Sequence, residues 1–263
     1  MDSVKVKDAE ICYQVMGKGD PLVMIMGLTA NMNWWEPDLV NSLSKDYRLL
    51  IFDNRGAGRT VAPAGEFTIK QFAEDTAGLM ESVGMEHAHV VGLSMGGMIA
   101  QELVLNYPEK VDRLVLCATY CGGKETVYAD REVLKKLLDL SGTLEDKFNR
   151  TLSMMFPPNW LASNEGACKL FFDRYRELPT TEESAASQFM ATVRFDACER
   201  LSQIDKPTMV ACGSADVLIP PENSRIIAGR IPGAQLVEFD GAGHGFMYER
   251  REEFEKQLRD FLG

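Results

Sequence analysis

A serine lies between two glycines in the segment "HVVGLSMGG", which spans residues 89–97. A strand-forming run precedes this serine, Ser94, and a helix-forming run follows it without a linker. So tight a turn can force its central residue into a sparsely populated backbone conformation that presents the side chain outward. Gly92 and Gly96 have to be small, because a Cβ there would meet the neighbouring strand or helix. The pattern predicts an exposed nucleophilic hydroxyl; the alternative is a tight turn that happens to contain serine.

A nucleophilic serine needs a base, because its hydroxyl reacts poorly until a neighbouring group accepts the proton. The chain has three histidines. His87 and His89 lie at the start of the strand, at the end away from the serine, so we predict structural or solvent-exposed positions for them. His244 lies in the glycine-rich segment "DGAGHGF" after the last predicted strand, where an exposed loop would bring it to the carboxyl edge of the sheet. We therefore predict His244 as the base; the alternative is a histidine in a turn.

The base in turn needs a carboxylate that fixes its tautomer and stabilises the imidazolium ion. Asp216 follows a predicted strand directly, in "CGSADVLIP", so its side chain could reach across the same edge of the sheet. The alternative for Asp216 is an ordinary turn or helix-capping aspartate. By position, Asp240 is the next carboxylate that could take the role.

The elements that must position these residues alternate along most of the chain. Near-continuous apolar strands such as "PLVMIMG", "YRLLIFD" and "PTMVACG" belong in a parallel sheet that helices cover on both faces. The segment "VKVKDAEICYQVMG" predicts a two-stranded hairpin before them. Helices are predicted at about residues 34–45, 69–83, 95–107, 221–230 and 251–262. The fold class is therefore α/β, a doubly wound, mostly parallel sheet with an antiparallel N-terminal hairpin.

The strand pattern disappears from residue 122 to residue 195, where helical patterns are separated by Pro157-Pro158 and by Leu178-Pro179. We predict a core of residues 1–121 and 196–263, with residues 122–195 inserted as a helical cap above the carboxyl ends of the strands. Ligands in open α/β sheets bind at those ends.

The cap segment "LSMMFPPNW" offers apolar side chains suited to lining an acyl pocket. These are Met154, Met155, Phe156 and Trp160. The alternative is that they only pack the cap onto itself. Arg174 and Arg176 suggest a rival arrangement, a clamp for a substrate carboxylate.

Composition excludes several classes of function. The formal net charge is −11, and the chain has no run of Lys or Arg, which disfavours binding to nucleic acid or to an anionic membrane. The apolar stretch from Leu22 to Leu28 is too short to cross a bilayer, and the N-terminal segment lacks the plan of a signal peptide. We therefore expect a cytoplasmic protein that acts on a small molecule.

The cysteines and histidines do not form the patterns of a cofactor site. The six cysteines are scattered without a C-x-x-C pair, so buried thiols are predicted rather than disulfides or a zinc site. Three histidines form no ligand cluster, and Gly56-Ala57-Gly58 lacks the spacing of a dinucleotide-binding loop. We predict no metal and no cofactor. The sequence leaves the oligomeric state open.

Five landmarks, in order, resemble those of the α/β-hydrolase superfamily, from about residue 10 to the C-terminus. They are "VMIMGLTA", "FDNRGAGRT", "GLSMGG", "CGSADVLIP" and "GAGHGFMYERREEF". The order Ser94, Asp216, His244 is also the order of this fold. The chain is most similar to small cofactor-free carboxylesterases and 3-oxoadipate enol-lactonases, a group that shades into perhydrolases once labelled bromoperoxidases. Met26 and Leu93 occupy two positions where the family often has histidine.

The resemblance implies a serine hydrolase that cleaves an ester or lactone through an acyl-enzyme. The turn at Ser94 would aim the first free N–H groups of the following helix, including that of Met95, at an oxyanion; the resemblance implies the N–H of Leu28 as the second donor. It also implies a structural role for Asp53 and Arg55, as a buried ion pair or loop brace.

Two alternatives remain open. A perhydrolase or a hydrolase of carbon–carbon bonds would use the same three residues. A non-enzymatic ligand-binding protein is disfavoured, because a scaffold has no need for all three in the correct order.

Overall fold

The central sheet carries the candidate residues Ser94, Asp216 and His244 beyond the carboxyl ends of its strands. The computed structural model describes residues 1–139 and 141–263. Within these ranges, one sheet contains β1 (Asp2–Val6), β2 (Ala9–Met16), β3 (Asp20–Ile25), β4 (Tyr47–Phe52), β5 (Ala88–Leu93), β6 (Val111–Cys117), β7 (Thr208–Gly213) and β8 (Gln235–Phe239). Their order is β1-β2-β4-β3-β5-β6-β7-β8. The pairs β1–β2 and β2–β4 are antiparallel and the other pairs are parallel, which confirms the predicted sheet with its antiparallel start.

Helices follow the strands much as the sequence predicts. Those outside residues 122–195 are α1 (Pro37–Leu43), α2 (Ile69–Ser82), α3 (Met95–Asn106), α9 (Glu222–Arg230), α10 (Phe246–Glu249) and α11 (Arg251–Leu262). The prediction of one helix over about 34–45 is wrong at its start, because a 3₁₀ turn occupies residues 32–34. The Asn31 side chain caps that turn, and the Glu36 side chain then accepts a hydrogen bond from the Leu39 N–H to begin α1 at Pro37.

Alternate strand residues build one hydrophobic core on each face of the sheet. In β3, Val23 and Ile25 pack with residues of α2, α3 and α9, whereas Leu22 and Met24 pack with residues of α1 and α11. All four side chains are fully buried. A strand that is apolar on both faces therefore lies between two helical layers, which confirms the doubly wound arrangement.

The segment between β6 and β7 is helical. It contains α4 (Arg131–Leu138), α5 (Leu144–Met155), α6 (Pro158–Ser163), α7 (Glu165–Glu177) and α8 (Glu182–Val193). The chain leaves and re-enters the sheet region at neighbouring points, because Gly122 pairs with Asp196 and the Ala197 N–H donates to the Cys121 carbonyl at 2.8 Å. The division into a core and a cap domain stays a prediction; the name cap is used below for residues 122–195.

Two further features bear on the composition. All six cysteines have free thiols, and all but Cys168 are buried. Burial raises the pKa of the Cys212 thiol to about 11, so this thiol stays protonated at neutral pH. Across residues 1–139 and 141–263, every helix is too short or too polar to pass through a bilayer.

A buried ion pair fixes the loop that follows β4. The Arg55 side chain is 1% exposed and donates to both carboxylate oxygens of Asp75 in α2, at 2.8 and 3.0 Å. Asp53 accepts hydrogen bonds from the N–H groups of Met32 and Arg59, at 2.7 and 2.8 Å. These contacts tie the loop to α2 and to the chain after β3, as a brace would.

We predict that Arg55→Leu lowers the free energy of unfolding by about 3 to 5 kcal/mol, because it leaves the Asp75 carboxylate buried without its partner. The double variant Arg55→Leu/Asp75→Leu should recover most of that loss. Urea denaturation measures both. The control is Arg225→Leu, which breaks a half-exposed pair with Glu238 and should cost about 0 to 1 kcal/mol. An Arg55→Leu protein that unfolds at the same urea concentration as the Arg225→Leu protein would contradict the prediction.

Candidate active site

Ser94 alone joins β5 to α3, in a strained conformation. Its φ is 56° and its ψ is −119°, a region that residues other than glycine rarely occupy. Both flanking glycines are required: a Cβ on Gly92 would lie 2.3 Å from the Gly96 carbonyl oxygen, and one on Gly96 would lie 2.0 Å from the Ile25 oxygen. The Ser94 N–H donates to the Cys117 carbonyl at 2.8 Å. The sheet and the helix together therefore hold Ser94 in this conformation.

Asp216 and His244 meet at the carboxyl edge of the neighbouring strands β7 and β8. His244 Nδ1 lies 2.7 Å from Asp216 Oδ2, and the two residues are 4% and 3% exposed. The other carboxylate oxygen, Oδ1, accepts the N–H groups of Leu218 and Ile219, both at 2.9 Å. Both oxygens of Asp216 are thus used, and its orientation toward His244 is fixed. The rival carboxylate, Asp240, is exposed and bonds to the Ser214 hydroxyl at 3.3 Å.

The loop that carries His244 is held by groups on both sides. The Gly243 N–H donates to a carboxylate oxygen of Glu249 at 2.8 Å, and burial raises the pKa of Glu249. The Gly245 N–H donates to the Met155 carbonyl of the cap at 2.9 Å. A Cβ on Gly245 would lie 2.2 Å from the ring of Phe156, so glycine allows the cap to pack directly on this loop.

A hydrogen bond between Ser94 and His244 is not formed in this structure. Among the residues that the structure describes, the Ser94 hydroxyl makes no hydrogen bond with His244 or with any other group. Catalytic hydrogen bonds of this kind are often long or poorly aligned until a substrate is bound. The structure thus brings Asp216 and His244 together and places Ser94 at the carboxyl end of β5 in the same sheet. It lacks the hydrogen bond that would link Ser94 to His244.

The loop after β3 lies directly against Ser94. A Cβ built on Gly27 would be 3.1 Å from the Ser94 Cβ and 3.6 Å from its Oγ. Within the described ranges, the N–H groups of Leu28 and Met95 have no hydrogen-bond acceptor. Two unpaired donors therefore belong to the segments that flank the Ser94 hydroxyl. Met26 is 3% exposed and packs in the core, so the side chain at this position has no part in that arrangement.

Of the four cap residues predicted as a pocket wall, Phe156, Met155 and Trp160 belong to one hydrophobic cluster, and Phe156 lies against the histidine loop. Phe156 is 3% exposed and stacks on Trp160 and Phe171, with ring centroids 4.2 and 5.8 Å apart. Met154 is also buried, whereas Met155 and Trp160 are half-buried. These contacts support the cap and the histidine loop, and the role of the four side chains in an acyl pocket stays a prediction.

Arg174 and Arg176, the residues of the alternative carboxylate clamp, bond to separate groups of the protein. Arg176 is exposed and pairs with Asp173 one turn away on α7, at 3.1 Å. Arg174 donates to the Asn33 carbonyl at 3.1 Å. The two guanidinium groups therefore have different partners.

The other two histidines lie at the opposite end of β5. His87 bonds to Asp112 at the surface, at 2.6 Å, and His89 is buried against the ring of Tyr47. In the described part of the chain, no three His, Cys, Asp or Glu side chains lie close enough together to hold a metal ion.

Three polar residues near the site were missed at the sequence level. The Thr119 hydroxyl donates to the Ser94 carbonyl at 2.8 Å, and the cap residues Gln188 and Thr180 bond to the backbone of Thr29. Thr119 lies two residues after the end of β6, and that position near the carboxyl end of a strand is a usable signal. Gln188 and Thr180 lie in or before a helix, where the sequence does not distinguish a buried polar side chain from an exposed one.

A comparison with known protein families decides the family: the sequence model of the α/β hydrolase fold matches residues 20–250 of this chain. The chain belongs to the α/β-hydrolase family. It is a hydrolase, and the predicted resemblance to enol-lactonase-like members is confirmed.

Its relatives span almost its whole length. A protein of Azorhizobium caulinodans provisionally named as a carbamate hydrolase, RutD, is 29% identical over 257 residues, 97% of this chain and 96% of that protein. The enol-lactonase of Burkholderia xenovorans LB400 superposes with a TM-score of 0.87 at 26% identity, covering 99% of each chain. A hydrolase of Pseudomonas aeruginosa PA01 also gives a TM-score of 0.87, at 27% identity, over 100% of this chain and 98% of that one.

We predict that Asp216→Asn lowers kcat for p-nitrophenyl ester hydrolysis by a factor on the order of 10^4, because an amide donor at this position favours the wrong tautomer of His244. Asp240→Asn is the matched control and should leave kcat near the wild-type value. Initial rates of p-nitrophenol release measure both. A near-wild-type Asp216→Asn enzyme together with an inactive Asp240→Asn enzyme would reverse the assignment of the carboxylate.

Proposed function

We propose that this hydrolase cleaves carboxylic esters or lactones, with Ser94 as the nucleophile, His244 as general base and then general acid, and Asp216 as the carboxylate that orients His244. One observation carries the proposal: the strained Ser94 adjoins segments whose Leu28 and Met95 N–H groups have no acceptor in the described ranges, at the same end of the sheet as a histidine that an aspartate holds at 2.7 Å. These are the parts that acyl transfer through a serine requires.

The first half of the proposed reaction forms the acyl-enzyme. The Ser94 oxygen attacks the substrate carbonyl carbon while His244 Nε2 accepts the hydroxyl proton. The carbonyl π bond breaks, and the resulting oxyanion accepts hydrogen bonds from the N–H groups of Leu28 and Met95. When the tetrahedral intermediate collapses, His244 returns the proton to the leaving oxygen. An ester then releases its alcohol, whereas a lactone opens and keeps its new hydroxyl on the acyl group.

The second half removes the acyl group with water. His244 accepts a proton from the water, whose oxygen attacks the acyl carbon to give a second tetrahedral intermediate. Collapse of that intermediate returns the proton to the Ser94 oxygen and releases the carboxylic acid. Asp216 stabilises the imidazolium ion that forms twice in each cycle.

The oxyanion donors would supply a large share of the rate. Removal of one such donor typically costs about 2.7 to 4 kcal/mol of transition-state stabilisation. The strained turn at Ser94 supports this role, because it fixes the Met95 N–H at the start of α3 before any charge develops. Preorganised donors need no rearrangement during the reaction.

A carbamate is the second candidate substrate. The relative from Azorhizobium caulinodans carries the name of a carbamate hydrolase and aligns over 97% of this chain. A carbamate carbonyl could be attacked by Ser94 in the same way, but its nitrogen lone pair makes the carbonyl carbon less electrophilic. Values of kcat/KM for a p-nitrophenyl acetate and a matched p-nitrophenyl carbamate separate the two proposals, and we expect the ester to react faster.

Perhydrolysis and carbon–carbon cleavage remain alternatives that use the same residues. Both reactions would use His244 as the general base and would differ from ester hydrolysis in their products. Chromatography of the products formed with an ester in the presence of hydrogen peroxide, and with a β-diketone, would reveal them.

We predict that Ser94→Ala lowers kcat by a factor on the order of 10^5 to 10^6 with an unchanged circular dichroism spectrum, because the residual rate comes only from binding and the oxyanion donors. Ser153→Ala is the control, since Ser153 is exposed on α5. Loss of less than tenfold in a folded Ser94→Ala protein would remove Ser94 from the mechanism.

We also predict a preference for uncharged acyl chains of medium length, with the apolar cap residues Met154, Met155, Phe156 and Trp160 as the proposed pocket. Each buried methylene should contribute about 0.8 kcal/mol, roughly a fourfold rise in kcat/KM, until the pocket is full. A series of p-nitrophenyl esters from acetate to octanoate measures this. Higher kcat/KM for a p-nitrophenyl ester that carries a terminal carboxylate, compared with its neutral match, would contradict the apolar pocket.

A further inference from the structure

A glutamine of the cap lies buried between two core loops. Gln188, in α8, has no exposed surface. Its side-chain oxygen accepts the Thr29 N–H at 2.7 Å, and its side-chain nitrogen donates to the Arg55 carbonyl at 2.8 Å. Glutamine suits this position because one side chain provides both an acceptor and a donor. The cap therefore bonds to the loop after β3 and to the braced loop after β4 through one residue.

Thr29 is held from the cap on both of its peptide groups. The hydroxyl of Thr180 donates to the Thr29 carbonyl at 2.6 Å, while Gln188 accepts from its N–H. The φ of Thr29 is 61°, in the left-handed region that a β-branched residue rarely adopts. Such a conformation persists only where the surroundings fix it. The two cap side chains provide that restraint.

The residue before Thr29 is Leu28, whose N–H has no acceptor among residues 1–139 and 141–263. On its other side, the Asn54 side chain donates to the Met26 carbonyl at 2.8 Å. The short loop from Met26 to Thr29 is therefore anchored at one end by the core and at the other by the cap. Because Gln188 accepts the Thr29 N–H, the Leu28 N–H is the one of these two donors without an acceptor in the described ranges, and it follows Gly27, which lies against Ser94.

We propose that Gln188 is a positioning residue for the oxyanion donor: by holding Thr29 from the cap, it aligns the Leu28 N–H with the carbonyl that Ser94 attacks. Docking of the cap thus completes the oxyanion site. This inference rests on the proposed function of Ser94. It differs from a purely structural role, in which Gln188 would only attach the cap to the core.

The neighbouring residue provides a matched control. The Ser187 hydroxyl accepts the Phe67 N–H at 3.0 Å and donates to the Gly65 carbonyl at 2.5 Å. It therefore makes the same number of hydrogen bonds between α8 and the core as Gln188, but none of them reaches the loop from Met26 to Thr29. A residue that serves only docking should behave as Ser187 does.

The test compares Gln188→Met with Ser187→Ala in the full chain, below the melting temperature of both. For Gln188→Met we expect kcat on a p-nitrophenyl ester to fall about 10- to 100-fold, the effect of a small misplacement in an active site, with KM unchanged. A trifluoromethyl ketone binds as an adduct: its carbonyl carbon bonds to the Ser94 oxygen while the Ser94 hydroxyl proton passes to His244. We expect the ketone to bind the Gln188→Met protein more weakly by the same factor, because the oxyanion of the adduct uses the same donors. Ser187→Ala should change neither value.

Equal effects of the two variants on kcat and on ketone binding would overturn the positioning role, as would a change in KM alone. If Gln188→Met does not fold, Thr180→Val takes its place, since it removes one anchor of Thr29 from a half-buried position; unchanged kcat and ketone affinity in that variant would also overturn the role. The Ser94→Ala enzyme separates this inference from the proposed function. Wild-type activity of the Ser94→Ala enzyme would refute the proposed function itself. If the Ser94→Ala enzyme is inactive, the results for the Gln188 variant test only the positioning role.

Discussion

The close approach of three backbone segments around Ser94 is the constraint on which the site depends. The strand β5, the helix α3 and the loop after β3 meet where Gly27, Gly92 and Gly96 have no Cβ, and a methyl group on Gly96 would lie 2.0 Å from a carbonyl oxygen. This crowding accompanies the positive φ of Ser94, and the adjoining N–H groups of Leu28 and Met95 have no acceptor among residues 1–139 and 141–263. Backbone strain of this kind persists at functional sites because the surrounding fold over-determines it.

The cap contributes to the same site through its backbone and through one buried amide. The Met155 carbonyl accepts the Gly245 N–H beside the candidate base, and Gln188 accepts the Thr29 N–H beside the candidate oxyanion donor. In the proposed mechanism, the core provides the reacting groups and the cap fixes the loops that carry them. A change in the cap could therefore alter the rate of the chemical step as well as the choice of substrate.

The sequence predicted the strands, most helices and the pairing of Asp216 with His244, because apolar periodicity and glycine-flanked turns are local signals. It did not predict α6 or α10, which are short, or α7, although Cys168, Phe171, Phe172 and Tyr175 form an apolar stripe at helical spacing. It also missed Gln188, since a buried glutamine is defined by partners 133 and 159 residues away in the chain. Contacts of that range arise only when the cap and the core are folded together.

The central claim is that Ser94 forms a covalent acyl-enzyme, and its most direct test is mass spectrometry of the protein after reaction with a fluorophosphonate probe. We expect one adduct per chain, located on the peptide that contains Ser94, with loss of activity in proportion to labelling and no adduct on the Ser94→Ala protein. Labelling at another residue, or full activity in a protein labelled at Ser94, would contradict the account.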